Sequence, residues 1–210
     1  MIKILSLLLL FNVSLAFSYP AHWWGPTQSD QPIPDWEILP EEGVFGESVI
    51  LSKRNELGIL SNFASTPFEM DGKWYASVEG LWQSLKYPEG KNDERYGEDQ
   101  LPYPRREVEQ MVGFEAKKAG SLASKLMKKH DVDWVSYKGE KMLYRDPTKG
   151  PHYKVILRAM VSKLEQNIQV EKILKQTKGL KLLPDHLTSP NDPPAWKYYK
   201  VWTEQRAKLK

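Results

Sequence analysis

Glu79, Gln83 and Lys86 stand at i, i+4 and i+7 in the segment Ser77-Val-Glu-Gly-Leu-Trp-Gln-Ser-Leu-Lys-Tyr87. On a helix they fall along one stripe. A carboxylate, a carboxamide and an ammonium on successive turns can stabilise positive charge on a sugar, orient a hydroxyl or a base, and anchor a phosphate. Lys86 suits the anchor, and it suits an amine nucleophile on an opened ribose if an apolar surround lowers its pKa. Glu79 lies in the first helical turn, where the helix dipole favours its ionised form by ~0.3–1 kcal/mol. That position favours a base or an electrostatic stabiliser over a proton donor, unless burial overrides it. The alternative for Glu79 and Lys86 is a pair of solvated helix charges.

The elements that must hold these groups can be read around them. Val78, Leu81, Trp82 and Leu85 repeat at i, i+3, i+4, i+7, the spacing that buries one side of a helix. Ser77 is placed to cap it. Before it, Pro67 to Ser77 reads as a hairpin whose Asp71-Gly72 dipeptide supplies a tight turn. Asn62 and Phe63 precede the hairpin and place an amide and a ring at what should be the rim of a site, although Asn62 also suits a turn cap. Trp82 and Trp134 are candidate stacking rings, with core packing as the other role of Trp82.

Farther along, Ser48 to Lys53 suits a strand, and Glu89 to Pro104 is a polar loop long enough to form a rim. Helical patterns run over Arg105 to Met111, Phe114 to Lys129, Tyr153 to Glu165 and Val170 to Gln176, with Gly179 as a stop. Leu180 to Leu183 suits a strand, and a last helix is expected from about Ala195 to Lys208, started by Pro193-Pro194.

Composition narrows the chemistry. The 210 residues include no cysteine, which excludes disulfides, thiolate catalysis, cysteine zinc sites and a lipidated cysteine. His22, His130, His152 and His186 show no metal spacing, and no Gly-rich phosphate loop precedes a helix, so neither metal nor cofactor is expected. Residues 1–18 read as a cleavable signal peptide ending at Ala16-Phe17-Ser18, with an uncleaved anchor as the alternative. Export implies a periplasmic or secreted bacterial protein without membrane attachment after cleavage. Residues 19–46 form a Pro-, Trp- and acid-rich arm, expected to pack in part on the domain surface. Residues 47–210 form the domain proper. Residues 19–50 carry six acidic groups and no Lys or Arg, whereas the chain from residue 51 has 29 basic against 21 acidic residues, a surplus of 8. A basic body favours an anionic small molecule, a nucleotide or a nucleic acid as partner.

Leu60-Ser61-Asn62-Phe63, Pro67-Phe68, Asp71-Gly72, Tyr75, Ser77, Glu79, Trp82-Gln83 and Lys86-Tyr87 together resemble the NADAR (YbiA-like) N-glycosidase family. The resemblance continues through Asp133-Trp134, Met142, Met160, Lys163 and Asn167 to Thr177 and covers most of residues 55–205. It implies a helix-rich α+β domain, with a small sheet or hairpin packed on several helices, that cleaves an N-glycosidic bond. The implied substrates are ADP-ribose joined to guanine, including ADP-ribosylated nucleic acid, and ribosylamino-pyrimidine phosphates. It assigns catalysis to Glu79 and Lys86, and substrate contacts to Asn62, Phe63, Trp82, Gln83, Trp134, Asp192 and Trp196. The chain departs from the pattern at Gly80, where the family commonly has His. It departs again between Asp192 and Trp196, a stretch one residue longer than usual and followed by Lys197 in place of Gly. Asp185, beside His186, is a second acid in this region.

The sequence therefore leads to a monomeric N-glycosidase. Two readings from other classes stand beside it: a non-catalytic module that binds a nucleotide or ADP-ribose, and a secreted effector that binds nucleic acid through its basic surface.

Overall fold

Six α-helices and three two-stranded sheets make up the regular structure in a computed structural model that describes residues 19–90, 93, 95–97 and 99–210. The fold is α+β. The expected signal peptide lies outside the described residues. No helix among those described is long and apolar enough to cross a membrane.

Strand β1 (Ser48–Ile50) pairs in parallel with β6 (Lys181–Leu183), Val49 opposite Leu182. This pair joins two segments distant in sequence and delivers Lys53, just past β1, to Asp185, just past β6. Strands β2 (Phe68–Met70) and β3 (Lys73–Tyr75) form the expected hairpin. Asp71 (φ 56°) and Gly72 (φ 76°) take the left-handed conformations that such a two-residue turn demands. Helix α1 (Val78–Ser84) follows at once, its first turn capped by Ser77, whose Oγ accepts from the Gly80 amide at 2.9 Å.

Helix α2 (Arg105–Val108) stops short of the expected Met111. The residues after it turn their carbonyls toward α1 instead: Glu109 O accepts from Ala76 N (3.1 Å) and Met111 O from Ser77 Oγ (2.9 Å). That close approach accounts for Gly80. A Cβ there would lie 2.5 Å from Met111 O and 3.0 Å from Val108 O, so no side chain, least of all His, fits the position.

Helix α3 (Gly113–Lys129) presents its buried Ala116, Ala119, Gly120 and Ala123, residues small enough for close packing against α1. A second hairpin, β4 (Trp134–Tyr137) with β5 (Glu140–Leu143), turns on Lys138 and Gly139. Helices α4 (Pro151–Gln166) and α5 (Ile168–Gln176) follow, and α6 (Tyr198–Arg206) closes the chain. The last helix begins later than expected, because Pro194–Trp196 forms a separate single turn.

The arm is built into the domain at several points. Trp23 is fully buried in the main core and donates to Glu56 at 2.6 Å, and Trp24 donates to Ser48 O at 2.7 Å. Glu37 receives both donors of Arg54 at 2.7 Å, a forked ion pair, and bridges backbone to His186.

Candidate active site

Every residue of α1 is buried, because the helix packs against α2, α3 and α4. The polar stripe is thus drawn inside: Glu79, Gln83 and Lys86 are 6%, 5% and 4% exposed. Solvated helix charges they are not. Gln83 Nε2 donates to Glu79 Oε1 at 2.7 Å, the i to i+4 contact that the spacing predicts. Lys86 Nζ donates to Ser124 Oγ at 2.8 Å and sits 4.8 Å from the centre of the Tyr144 ring.

Glu79 opens into a cavity of about 450 Å³. Asn62, Phe63, Trp82, Gln83 and Trp196 line it with Glu79, so six of the nine expected site residues share one concavity. Lys86 faces an adjoining space of about 790 Å³ that shares Gln83, Lys117, Tyr144 and Trp196 with the first. Lys128 and Arg145 also line that second space, giving it four cationic groups. Trp82 is buried in the core with its ring 5.4 Å from His152, and it also forms part of the cavity wall.

Trp134 and Asp192 are placed elsewhere. Trp134 lies at the start of β4, between the Arg95 guanidinium (4.6 Å) and the Lys141 ammonium (4.2 Å), in a different surface hollow. Asp192 closes its own turn by accepting from Ser189 N at 2.7 Å. The acid that reaches the cavity is Asp185, buried and paired with Lys53. The turn at Ser189 engages Asp192, while the pairing of β6 with β1 places Asp185.

Sequence reasoning missed several lining groups: Lys53, Lys117, Tyr144 and, from the arm, Trp36. Lys117 lies one helical turn before Gly120, which faces Gln83, a relation that only the packing of α3 on α1 creates. A Cβ at Gly120 would fall 1.7 Å from Gln83 Oε1, so the glycine leaves the space that the carboxamide occupies.

Burial dominates the electrostatics. It raises the Glu79 carboxyl above the usual carboxylate range, against the hydrogen bond from Gln83 and the attraction of Lys117, Lys86 and Lys53. This reverses the expectation drawn from the helix dipole. Burial likewise lowers Lys86 and Lys53, each to about 8. Asn62 Oδ1, Gln83 Oε1 and Trp196 Nε1 are buried and without hydrogen-bond partners. An unmatched polar group of this kind costs ~1–3 kcal/mol, so three of them around one cavity mark a surface complementary to a polar ligand. Among the described residues no group of three or more His, Asp or Glu could hold a metal ion.

Outside the cavity, two buried donors hold the loop that carries Asn62. Lys163 Nζ donates to Ser61 O (2.7 Å) and Trp202 Nε1 to Leu60 O (2.6 Å), while Asn62 O itself accepts from Glu79 N at 2.9 Å. The Asn62 loop and the first turn of α1 therefore form one hydrogen-bonded unit.

No protein-family model and no curated protein matches this chain. Among solved structures, the chain is similar to the NMR structure of the E. coli protein YbiA, with 19% identity, coverage of 80% of this chain and 88% of that chain, and a TM-score of 0.44.

Proposed function

We propose that this protein is a hydrolase that cleaves the N-glycosidic bond of a ribosyl nucleotide or ADP-ribosyl substrate. The observation that carries the reading is Glu79, a buried carboxyl with its pKa raised, held by Gln83 at a cavity with unmatched polar atoms. In this cleavage the C1′–N bond breaks, the base nitrogen gains a proton, and water supplies the oxygen of a new C1′–O bond. The transition state resembles an oxocarbenium ion. A carboxyl whose proton burial holds more tightly supplies the proton, and the carboxylate left behind faces the positive charge growing on the sugar and takes a proton from the attacking water.

Lys53, Lys86 and Lys117 favour the carboxylate once the proton has left. Lys86, held by Ser124, anchors an anionic group in the adjoining basic space, and Asn62 and Gln83 orient sugar hydroxyls. The resemblance stated for the sequence supports the same reaction class, and the basic domain suits a phosphate-bearing substrate. We also take the protein to act outside the cytoplasm as a monomer, which fractionation and N-terminal sequencing of the mature chain would test.

The test is incubation with ADP-ribosylated guanosine and with a ribosylamino-pyrimidine phosphate, followed by chromatography for the free base. The wild-type protein should release base from one of them, faster on the acid side of the Glu79 pKa, and Glu79→Gln should lose ~10²–10⁴-fold, the usual worth of a positioned acid. Substrate binding without release by the wild-type protein would leave a binding module in place of an enzyme.

A further inference from the structure

Three large apolar side chains that the fold leaves exposed stand together at the cavity mouth: Trp36 at 42%, Phe114 at 63% and Leu187 at 70%. Single exposed apolar residues are ordinary, but a cluster rimming a cleft is a recognition surface. The cluster is also held in place. Trp36 O accepts from Leu187 N (3.1 Å), Asp185 O accepts from Ile38 N (3.0 Å), and the forked Glu37–Arg54 pair lies between. Phe114 is fixed on the other side, edge-on to Phe63 with ring centres 5.2 Å apart, beside the Gly113 N to Phe63 O hydrogen bond of 3.0 Å.

The cavity is therefore graded. Its interior offers Glu79, Gln83 and Asn62, groups suited to a sugar, whereas its mouth offers flat ring faces, with the Lys53 ammonium 5.2 Å from the centre of the Phe63 ring. We infer that the mouth binds a planar heteroaromatic ring, the base of the substrate, and that Trp36 and Phe114 are the residues on which it stacks. Calling that ring the leaving base rests on the glycosidase reading, but its binding does not. The arm, through Trp36, is then part of the substrate site. A ring held at an open mouth is free to remain joined to a larger body outside, so a base within an oligonucleotide fits the same geometry as a free nucleotide.

The test uses the full chain with 5′-GMP and ribose 5-phosphate as probes, titrated against wild type, Trp36→Ala, Phe114→Ala and Trp36→Phe. Stacking of one base on one ring changes affinity by about tenfold or more. GMP should bind about tenfold more weakly to each alanine variant, near the wild-type level to Trp36→Phe, and ribose 5-phosphate should be indifferent to all three. Unchanged melting temperatures, expected for exposed side chains, separate these effects from misfolding. Equal weakening of both probes, unchanged GMP affinity, or no GMP binding by the wild-type protein at millimolar concentration would overturn the inference. The two readings fail separately. GMP bound through Trp36 with no turnover of any N-ribosyl substrate sinks the glycosidase alone, and turnover with KM unaffected by the alanine variants sinks the aromatic mouth alone.

Discussion

Replacing Gly120 by Ala should disable Gln83 without touching it chemically. The new methyl carbon would sit 1.7 Å from Gln83 Oε1 and 2.2 Å from Cδ, so the carboxamide must move by roughly 2 Å to reach ordinary van der Waals contact. Such a shift breaks the 2.7 Å bond to Glu79. Breaking it leaves the buried carboxamide and carboxyl unmatched, at a cost of about 1–3 kcal/mol, and in a helix interior Ala is favoured over Gly by about 1 kcal/mol. The net loss is about 0–2 kcal/mol, a fall in Tm of at most about 8 °C for a chain of this size. Turnover should fall about tenfold or more, since the donor that orients Glu79 is gone. With that donor removed, the carboxyl holds its proton more tightly and the pH above which activity declines should move up. Steady-state kinetics against pH, run on Gly120→Ala, Gln83→Ala and the double variant, decide the matter. If Gln83 transmits the whole effect, Gly120→Ala adds nothing in the Gln83→Ala background. Full additivity, or a pH profile that stays in place, would refute the coupling through Gln83.

Other outcomes follow from buried groups. Burial lowers Lys163 to about 7 and Lys53 and Lys86 to about 8, so each binds its proton more tightly in the unfolded chain than in the fold. Stability should then rise as pH rises from about 7 toward the ordinary lysine value and be lost as pH falls through the lowered ones. Lys163→Met should flatten part of this slope in urea titrations at neutral and alkaline pH; an unchanged slope would show that Lys163 contributes nothing to it. Gly80→Ala forces a methyl against three backbone carbonyls that cannot swing aside as a side chain can, and should cost about 1–3 kcal/mol by thermal melting. A neutral Gly80→Ala would mean that the segment after α2 yields easily.

The parts legible in the sequence were those whose cause is local. Asp71-Gly72 can take positive φ, Ser77 can cap, and Val78, Leu81 and Leu85 can turn one face inward, all within a few residues of one another. The i to i+4 contact of Gln83 with Glu79 came with the helix. The hairpin of β4 and β5 was missed because its turn begins with Lys138, a residue that rarely takes the left-handed conformation, and because β5 opens with Glu140 and Lys141. Lys53, Asp185 and Trp36 were illegible as a group, since each reaches the cavity only through pairing between distant segments. The charge state of Glu79 was misjudged for the same reason: the dipole acts within one turn, whereas desolvation depends on what α3 and α4 cover.

The parallel contact of β1 with β6 has a consequence for the order of events during folding. Lys53 and Asp185 meet across 132 positions of chain, and Trp36 meets Leu187 beyond them. A loop of that length closes late, after the local hairpins and helices have formed. A chain in which these two strands have not yet paired would hold the Glu79 helix but no lysine–aspartate wall and no Trp36 lip. The cleft is thus completed in a single step with that pairing, and any fluctuation that parts these two strands removes one whole side of it at once.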